Sequence, residues 1–177
     1  MTENKVTLAV ADRGDITDFK KELQASFAVA VVEEMGSMPD EPIPSDEVLD
    51  NAIDAPSSVV LRILCDGQIV GGAVLTIDTE THHNSLDLFF LRVGQQGRGI
   101  GLKAWFAIEQ RYPDTISWQT HTPYFEKRNI HFYVNKCGFK IIEFFNKHHS
   151  DPNNPDQDDF GSGDGDAFQF EKIMRGV

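Results

Sequence analysis

The stretch Leu88-Phe89-Phe90-Leu91-Arg92-Val93-Gly94-Gln95-Gln96-Gly97-Arg98-Gly99-Ile100-Gly101-Leu102 decides how this chain is read. An apolar run with the look of a strand covered on both faces passes into a glycine-dense turn, and a helical pattern follows at once. The first N–H groups of a helix lack an intrahelical acceptor and carry roughly +0.5 of a charge. Without Cβ atoms in the way, a phosphate can approach those groups closely. Gln96 and Arg98 add side-chain donors, and Arg98 adds positive charge. Gln96, Gly97, Arg98, Gly99, Ile100, Gly101 and Leu102 are therefore expected to cradle a pyrophosphate.

Two nucleotide motifs compete for this turn. The P-loop pattern G-x-x-x-x-G-K-[ST] does not occur. Gly99-Ile100-Gly101-Leu102-Lys103-Ala104 matches G-x-G-x-x-A, but that fingerprint wants an acidic residue about 20 positions on. The neighbourhood there is Gln119-Thr120-His121-Thr122, without a carboxylate. A hairpin before the turn also speaks against a dinucleotide fold.

Upstream, residues 5–11 alternate as a first strand with Val6, Leu8 and Val10 on one face. Asp15 is the expected N-cap of a helix to about Met35 that turns Phe19, Leu23, Phe27, Ala30 and Val31 inward and stops at Gly36. Residues 37–58 hold four prolines around a short helix capped by Ser45, and this irregular region is a candidate for substrate contact. Strands at 58–65 and 68–78 flank Asp66-Gly67, a strong hairpin turn. A third strand covers 84–93. Downstream come a helix to Arg111, a strand at 116–122, a helix ending at Gly138, a strand at 139–148, and a last strand at 167–174. The order β-α-(α)-β-β-β-α-β-α-β-β calls for a mixed sheet in one α/β domain over 1–177, with no internal repeat. The loop 151–166 carries six aspartates and no basic residue, and is expected to be solvated.

The helix before Gly138 places Ile130, Val134 and Cys137 on a buried stripe. Asn129 and Tyr133 share the stripe beside it, at the rim of the core. Together, Q-x-x-G-x-G at Gln96, Gly99 and Gly101 and N-x-x-x-Y-x-x-x-x-G-F at Asn129, Tyr133, Gly138 and Phe139 resemble the GNAT superfamily of acyl-CoA-dependent N-acetyltransferases. The order of elements agrees over nearly the whole chain. The resemblance implies a mostly antiparallel sheet of about seven strands, splayed in the middle between the third strand and the strand at 116–122, and flanked by about four helices. It implies acetyl-CoA in the gap as acyl donor, the backbone of Leu91 and Val93 pairing with its pantetheine arm, Asn129 bonding that arm, and Tyr133 near the sulfur.

The chemistry so implied is direct attack of a primary amine on the thioester. An amine with a pKa near that of lysine (~10.4) must first lose a proton, and the departing thiolate must gain one. Tyr133 is the expected acid. For the base, strand alternation aims Asp87 to the side of Phe89 and Leu91, and Asp87 is the choice. His121, Glu33, Glu34 and a water relay stand beside it, because the family's strand glutamate corresponds to a place nearer Ser85. Val93 stands where many relatives have proline. A non-catalytic acyl-CoA-binding module is the rival reading.

The remaining signals exclude more than they assign. The 177 residues carry 16 Lys+Arg against 28 Asp+Glu, a net charge of −12 that repels nucleic acid and leans toward a cationic small amine or basic peptide as acceptor. Neither His82-His83 nor His148-His149 forms a metal clamp, because adjacent strand residues face opposite ways, and no metal is expected. The aspartates from Asp156 begin like a calcium loop, but Phe160 takes a ligand position. Trp105 and Ile108 are core by spacing, whereas Trp118 could pack on the sheet or the acceptor. With two cysteines, no apolar run of ~20 residues and no signal-peptide layout at the start, a cytoplasmic protein without a membrane span is expected, and a homodimer is left open.

Overall fold

The computed structural model describes residues 4–152 and 166–175. Strand β1 (Val6–Val10) leads through a short 3-10 turn into helix α1 (Ile16–Met35), and α2 (Asp46–Asp54) follows. Next come β2 (Ser58–Cys65), β3 (Gln68–Thr76), β4 (His83–Leu91), α3 (Ile100–Arg111) and β5 (Ser117–Pro123). Helix α4 (Lys127–His131) continues into a π-helical turn over Phe132–Cys137, before β6 (Lys140–Phe145) and β7 (Ala167–Ile173) close the chain.

The strands form one mixed sheet in the order β1-β2-β3-β4-β5-β7-β6. Every neighbouring pair is antiparallel except β4 with β5. That parallel pair runs only from His83↔Ser117 to Leu86↔Thr120. Beyond it β4 continues to Leu91 along β3, and β5 continues to Pro123 along β7. The sheet thus opens into a gap between β4 and β5, as the splayed architecture requires.

Local chemistry accounts for most of the elements. Asp66 and Gly67 both take positive φ, 52° and 81°, the geometry of a tight hairpin turn. Ser45 Oγ accepts from Val48 N–H and caps α2, and Gly36 at φ 75° ends α1. Apolar side chains then fill both faces of the sheet. On one, Phe19 and Leu23 of α1 and Leu49 of α2 pack with Val74, Leu88 and Phe90. A Cβ at Gly72 would lie 2.2 Å from the Phe19 ring, so glycine is what lets α1 lie so close. On the other face Trp105 and Ile108 of α3 pack with Leu61, Leu75, Leu86, Trp118, Tyr133 and Phe170. Trp118 is a core residue, edge-on to Trp105, and not an acceptor contact.

Asp15 is the N-cap residue of α1, as its position predicts, but its side chain makes no capping bond. Its carboxylate instead grips Arg62 of β2, at 2.6 Å to Nε and 2.9 Å to an outer guanidinium nitrogen. Glu22 of α1 takes a third Arg62 N–H at 2.6 Å, and its other oxygen holds Arg92 just past β4. The aspartate-rich calcium-loop resemblance falls outside the described residues.

Candidate active site

The glycine turn has the form its sequence predicts. Gly94, Gly97 and Gly99 take φ of 90°, 79° and 74°, with nothing within 4 Å of where their side chains would be. Gly99 is the left-handed N-cap of α3. The first helical hydrogen bond from this cap is Lys103 N–H to Gly99 C=O. The backbone N–H groups of residues 97–102 therefore have no acceptor among the described residues. Six bare amides at a helix start, with the helix dipole behind them, make an anion cradle. Gly101 serves packing as well, since a Cβ there would meet the Phe132 ring at 3.4 Å.

The two side chains expected to help with phosphate are turned partly inward. Gln96 straps the loop to the strand, accepting from Gly94 N–H at 3.1 Å and donating to Leu91 C=O at 3.1 Å. Arg98 bonds Gln95 at 3.0 Å and keeps its charge at the exposed rim. The Leu91 carbonyl is thus engaged by Gln96, whereas the β4 edge beyond Leu86 has no strand beside it. Val93 is exposed next to that edge.

Asp87 is displaced from its expected place by a β-bulge. The β3–β4 register passes from Val74↔Leu88 to Leu75↔Leu86, which leaves Asp87 without an opposite residue. Alternation breaks there: Leu86 packs with Trp105, while Leu88 packs with Phe19 on the other face. Asp87 consequently does not share a side with Phe89 and Leu91. Its carboxylate accepts from Thr76 Oγ at 2.6 Å and Ser85 Oγ at 2.8 Å. Solvent reaches it, yet protein walls it on most sides. That desolvation raises its pKa, while the two hydroxyls and the nearby His121 pull it back. Burial lowers the pKa of His121, opposed by the charges of Asp151, Asp87 and Glu143. Asp87 and His121 therefore sense each other across the gap.

Tyr133 lies deeper than the rim. It is 5 % exposed, with its ring 5.7 Å from both Phe139 and Phe170. The π-helical turn, in which Tyr133 C=O accepts from Gly138 N–H five residues on, changes the helical phase that the spacing assumed. Burial drives the phenol's pKa well up, Cys137 and Glu126 add to the rise, and the Thr120 hydroxyl opposes it. Thr120 donates to Leu86 C=O, so the phenol is tied to the last paired residues before the gap. Asn129 is half-buried on α4. Cys137 is core as expected, and burial pushes its thiol up to about 12, away from the thiolate form that a nucleophile uses. Among the described residues no cluster has the makings of a metal site, and no helix is long and apolar enough to cross a membrane.

Sequence reasoning missed one buried acid, Glu126. Burial and the repulsion of Glu33 raise its carboxyl to about 7, against the pull of Arg128. Its place at a helix start, where acidic residues are commonplace, gave no signal of burial.

A sheet opened between parallel strands, with a bare-amide cradle at the mouth and a phenol at the vertex, defines the acetyltransferase architecture. The family comparison gives the same answer: residues 20–139 match the model of the "Acetyltransferase (GNAT) family". The chain belongs to that family and is an acyltransferase. It is 52 % identical over 177 residues to "Uncharacterized protein YrkN" of Bacillus subtilis (strain 168), covering 98 % of this chain and 96 % of that one. Among solved structures it is similar in fold to the ribosomal-protein-S18-alanine N-acetyltransferase from Escherichia coli (TM-score 0.67, 11 % identity, 98 % of this chain and 96 % of that one). It is also similar to spermidine N-acetyltransferase from Vibrio cholerae, solved with CoA and spermine (TM-score 0.65, 15 % identity, 96 % and 95 % covered).

Proposed function

We propose that this protein transfers an acetyl group from acetyl-CoA to a primary amine by direct attack within a ternary complex. The observation that carries the reading is the row of acceptor-free amides at 97–102 beside the open sheet. A diphosphate satisfies that row, and an extended arm attached to it can run along the unpaired edge of β4 past Leu91 and Val93 toward the vertex. Gln96 shapes the turn, Arg98 supplies charge at its rim, and Asn129 bonds the arm from α4. The Vibrio cholerae relative, solved with CoA and spermine, supports an amine acceptor.

Asp87 takes the proton of the incoming ammonium, with its carboxylate poised by Thr76 and Ser85. Strand amides stabilise the developing oxyanion. Tyr133 hydrogen-bonds the departing sulfur, and its raised pKa keeps it a neutral donor throughout. Mixing the protein with acetyl-CoA and a panel of amines (spermine, an aminoglycoside, a lysine peptide) should release free CoA thiol. Calorimetric binding of CoA with no turnover on any amine gives the non-catalytic module instead.

A further inference from the structure

Arg92 stands where β4 ends and the glycine turn begins. Its N–H donates to Val70 C=O at 2.8 Å, one step beyond the Gly71↔Leu91 pair, and its C=O accepts from Gln95 N–H at 3.0 Å. From there the turn is bonded only to itself and to the end of its own strand. Among the described residues, the hydrogen bonds of residues 93–98 run to residues 91–98. Gly94, Gly97 and Gly99 have open space where side chains would pack.

The root of the turn is fixed from outside. Phe90 packs edge-on to Phe19 of α1, with ring centroids 5.2 Å apart. Arg92, two residues on, reaches the same helix, where its guanidinium donates to Glu22, one turn after Phe19. The other oxygen of Glu22 accepts from Arg62 at 2.6 Å, and Arg62 is buried and also held by Asp15. Burial opposes the charge on Glu22, but the bonds to Arg92 and Arg62 prevail, so its pKa is lowered and it remains a carboxylate. Arg92 is thus moored through Glu22 to a buried point of the fold. Its own side chain stays 41 % exposed, so a substitution there spares the core.

We propose that Glu22 is a positioning residue for the donor: through Arg92 it fixes the strand end from which the amide row at 97–102 is hung, and so sets the grip on the diphosphate of acetyl-CoA. The assignment rests on the acetyl-CoA reading above. Charge and geometry predict opposite outcomes when Glu22 is neutralised. Removing a carboxylate from behind the turn and freeing the Arg92 cation favours an anion, so charge alone makes Glu22→Gln bind CoA more tightly. Loss of the mooring lets the amide row leave the geometry that the diphosphate needs, so positioning makes the same variant bind more weakly.

Calorimetry with CoA tests this on wild type, Glu22→Gln, Arg92→Met, the double variant and Asp15→Asn. Each single substitution at 22 or 92 should weaken binding about tenfold, and the double variant should be no weaker than either, because both cut one link. Asp15→Asn loosens Arg62 without touching Arg92, and should bind CoA as the wild type does even where its urea midpoint falls. In turnover the loss should appear as a raised KM for acetyl-CoA with kcat unchanged. Unchanged or tighter binding in Glu22→Gln overturns the assignment, as do additive losses, about 100-fold, in the double variant. An equal loss in Asp15→Asn makes the effect general to the fold and overturns it too. Should Glu22→Gln fail to fold, Arg92→Met decides through salt. A loss equal at low and high salt is one of geometry, whereas a loss that disappears at high salt is one of charge and overturns the mooring. Wild-type protein that binds no CoA overturns the donor reading and the mooring together, and equal affinity in every variant removes the mooring alone.

Discussion

The base of α1 and the start of α4 each bury a charge, and they treat it in opposite ways. Arg62 is held by Asp15 and Glu22 and lies 5.0 Å over the Phe19 ring, so its charge is met from within the fold by two carboxylates and an aromatic face. The Glu126 carboxylate makes no hydrogen bond or ion pair, and it feels burial first, then the pull of Arg128 against the repulsion of Glu33. A buried ion completed by the protein ties elements together, here β2 to α1 and, through Glu22, to Arg92 at the root of the glycine turn. A buried ion left without a partner costs stability and is driven toward its neutral form.

Breaking the complete site should have the largest effect. Arg62→Met strands two carboxylates, and removing one partner of a buried pair costs ~3–5 kcal/mol. Asp15 and Glu22 keep some contact with water, which favours the lower end, about 3 kcal/mol, read as a shift of the urea midpoint. The pKa values of both carboxylates are lowered, so their contribution is present above their unfolded pKa values and is lost as pH falls through the folded ones. The variant should therefore have a flatter acid limb than the wild type.

Past the start of α4, the phenol of the site tests turnover rather than stability. Tyr133→Phe deletes one hydroxyl and almost no volume, and should lower kcat by about 100-fold while CoA affinity stays put. An unchanged kcat would mean that the phenol is only a core aromatic. A smaller effect, of opposite kind, belongs to Glu126 itself. Its folded pKa is raised from 4.5 to about 7, so the stability it contributes is full below 4.5 and disappears as pH rises through 7. Wild type should lose on the order of 2 kcal/mol between pH 5 and pH 8 that Glu126→Gln does not lose. Urea melts at the two pH values check this, and parallel losses in both proteins would show Glu126 to be completed after all.

The same contrast separates what the sequence made legible from what it hid. The glycine turn, the Asp66-Gly67 hairpin, the Ser45 cap and the Gly36 stop were readable because each depends on neighbours in the chain. The order of elements followed from those, whereas the splay between β4 and β5 came from the family resemblance carried by that order and the two motifs. Asp15 sits at the N-cap as its position implied, but its side chain turns from the helix to Arg62, 47 residues away, which no local pattern shows. Asp87 was placed on the wrong side because a bulge is a property of two strands in register, and strand parity knows only one. Tyr133 was set too near the surface because a π-helical turn departs from the 3.6-residue period. Glu126 had no local mark at all, since its burial just after β5 depends on the assembled fold and not on its neighbours in the chain.

The smallest predicted effect tests the cradle apart from both buried charges. Gly99 stands at φ 74° with open space around its missing side chain, so Gly99→Val meets no atom and acts through backbone strain and its own bulk. Left-handed backbone costs an L-residue roughly 1–2 kcal/mol, and a β-branched residue is among the least tolerant of it. If strain tilts even part of the bare-amide row, CoA affinity should drop by about tenfold, near 1.4 kcal/mol, as measured by calorimetry. Gly14 is the matched control: it too has nothing within 4 Å, but it carries no left-handed φ and lies in the 3-10 turn before α1. Gly14→Ala should bind CoA as the wild type does. Equal affinities in Gly99→Val and Gly14→Ala would mean that the cap geometry of α3 does not set the anion site, and that the charge of Arg98 at the rim governs capture instead.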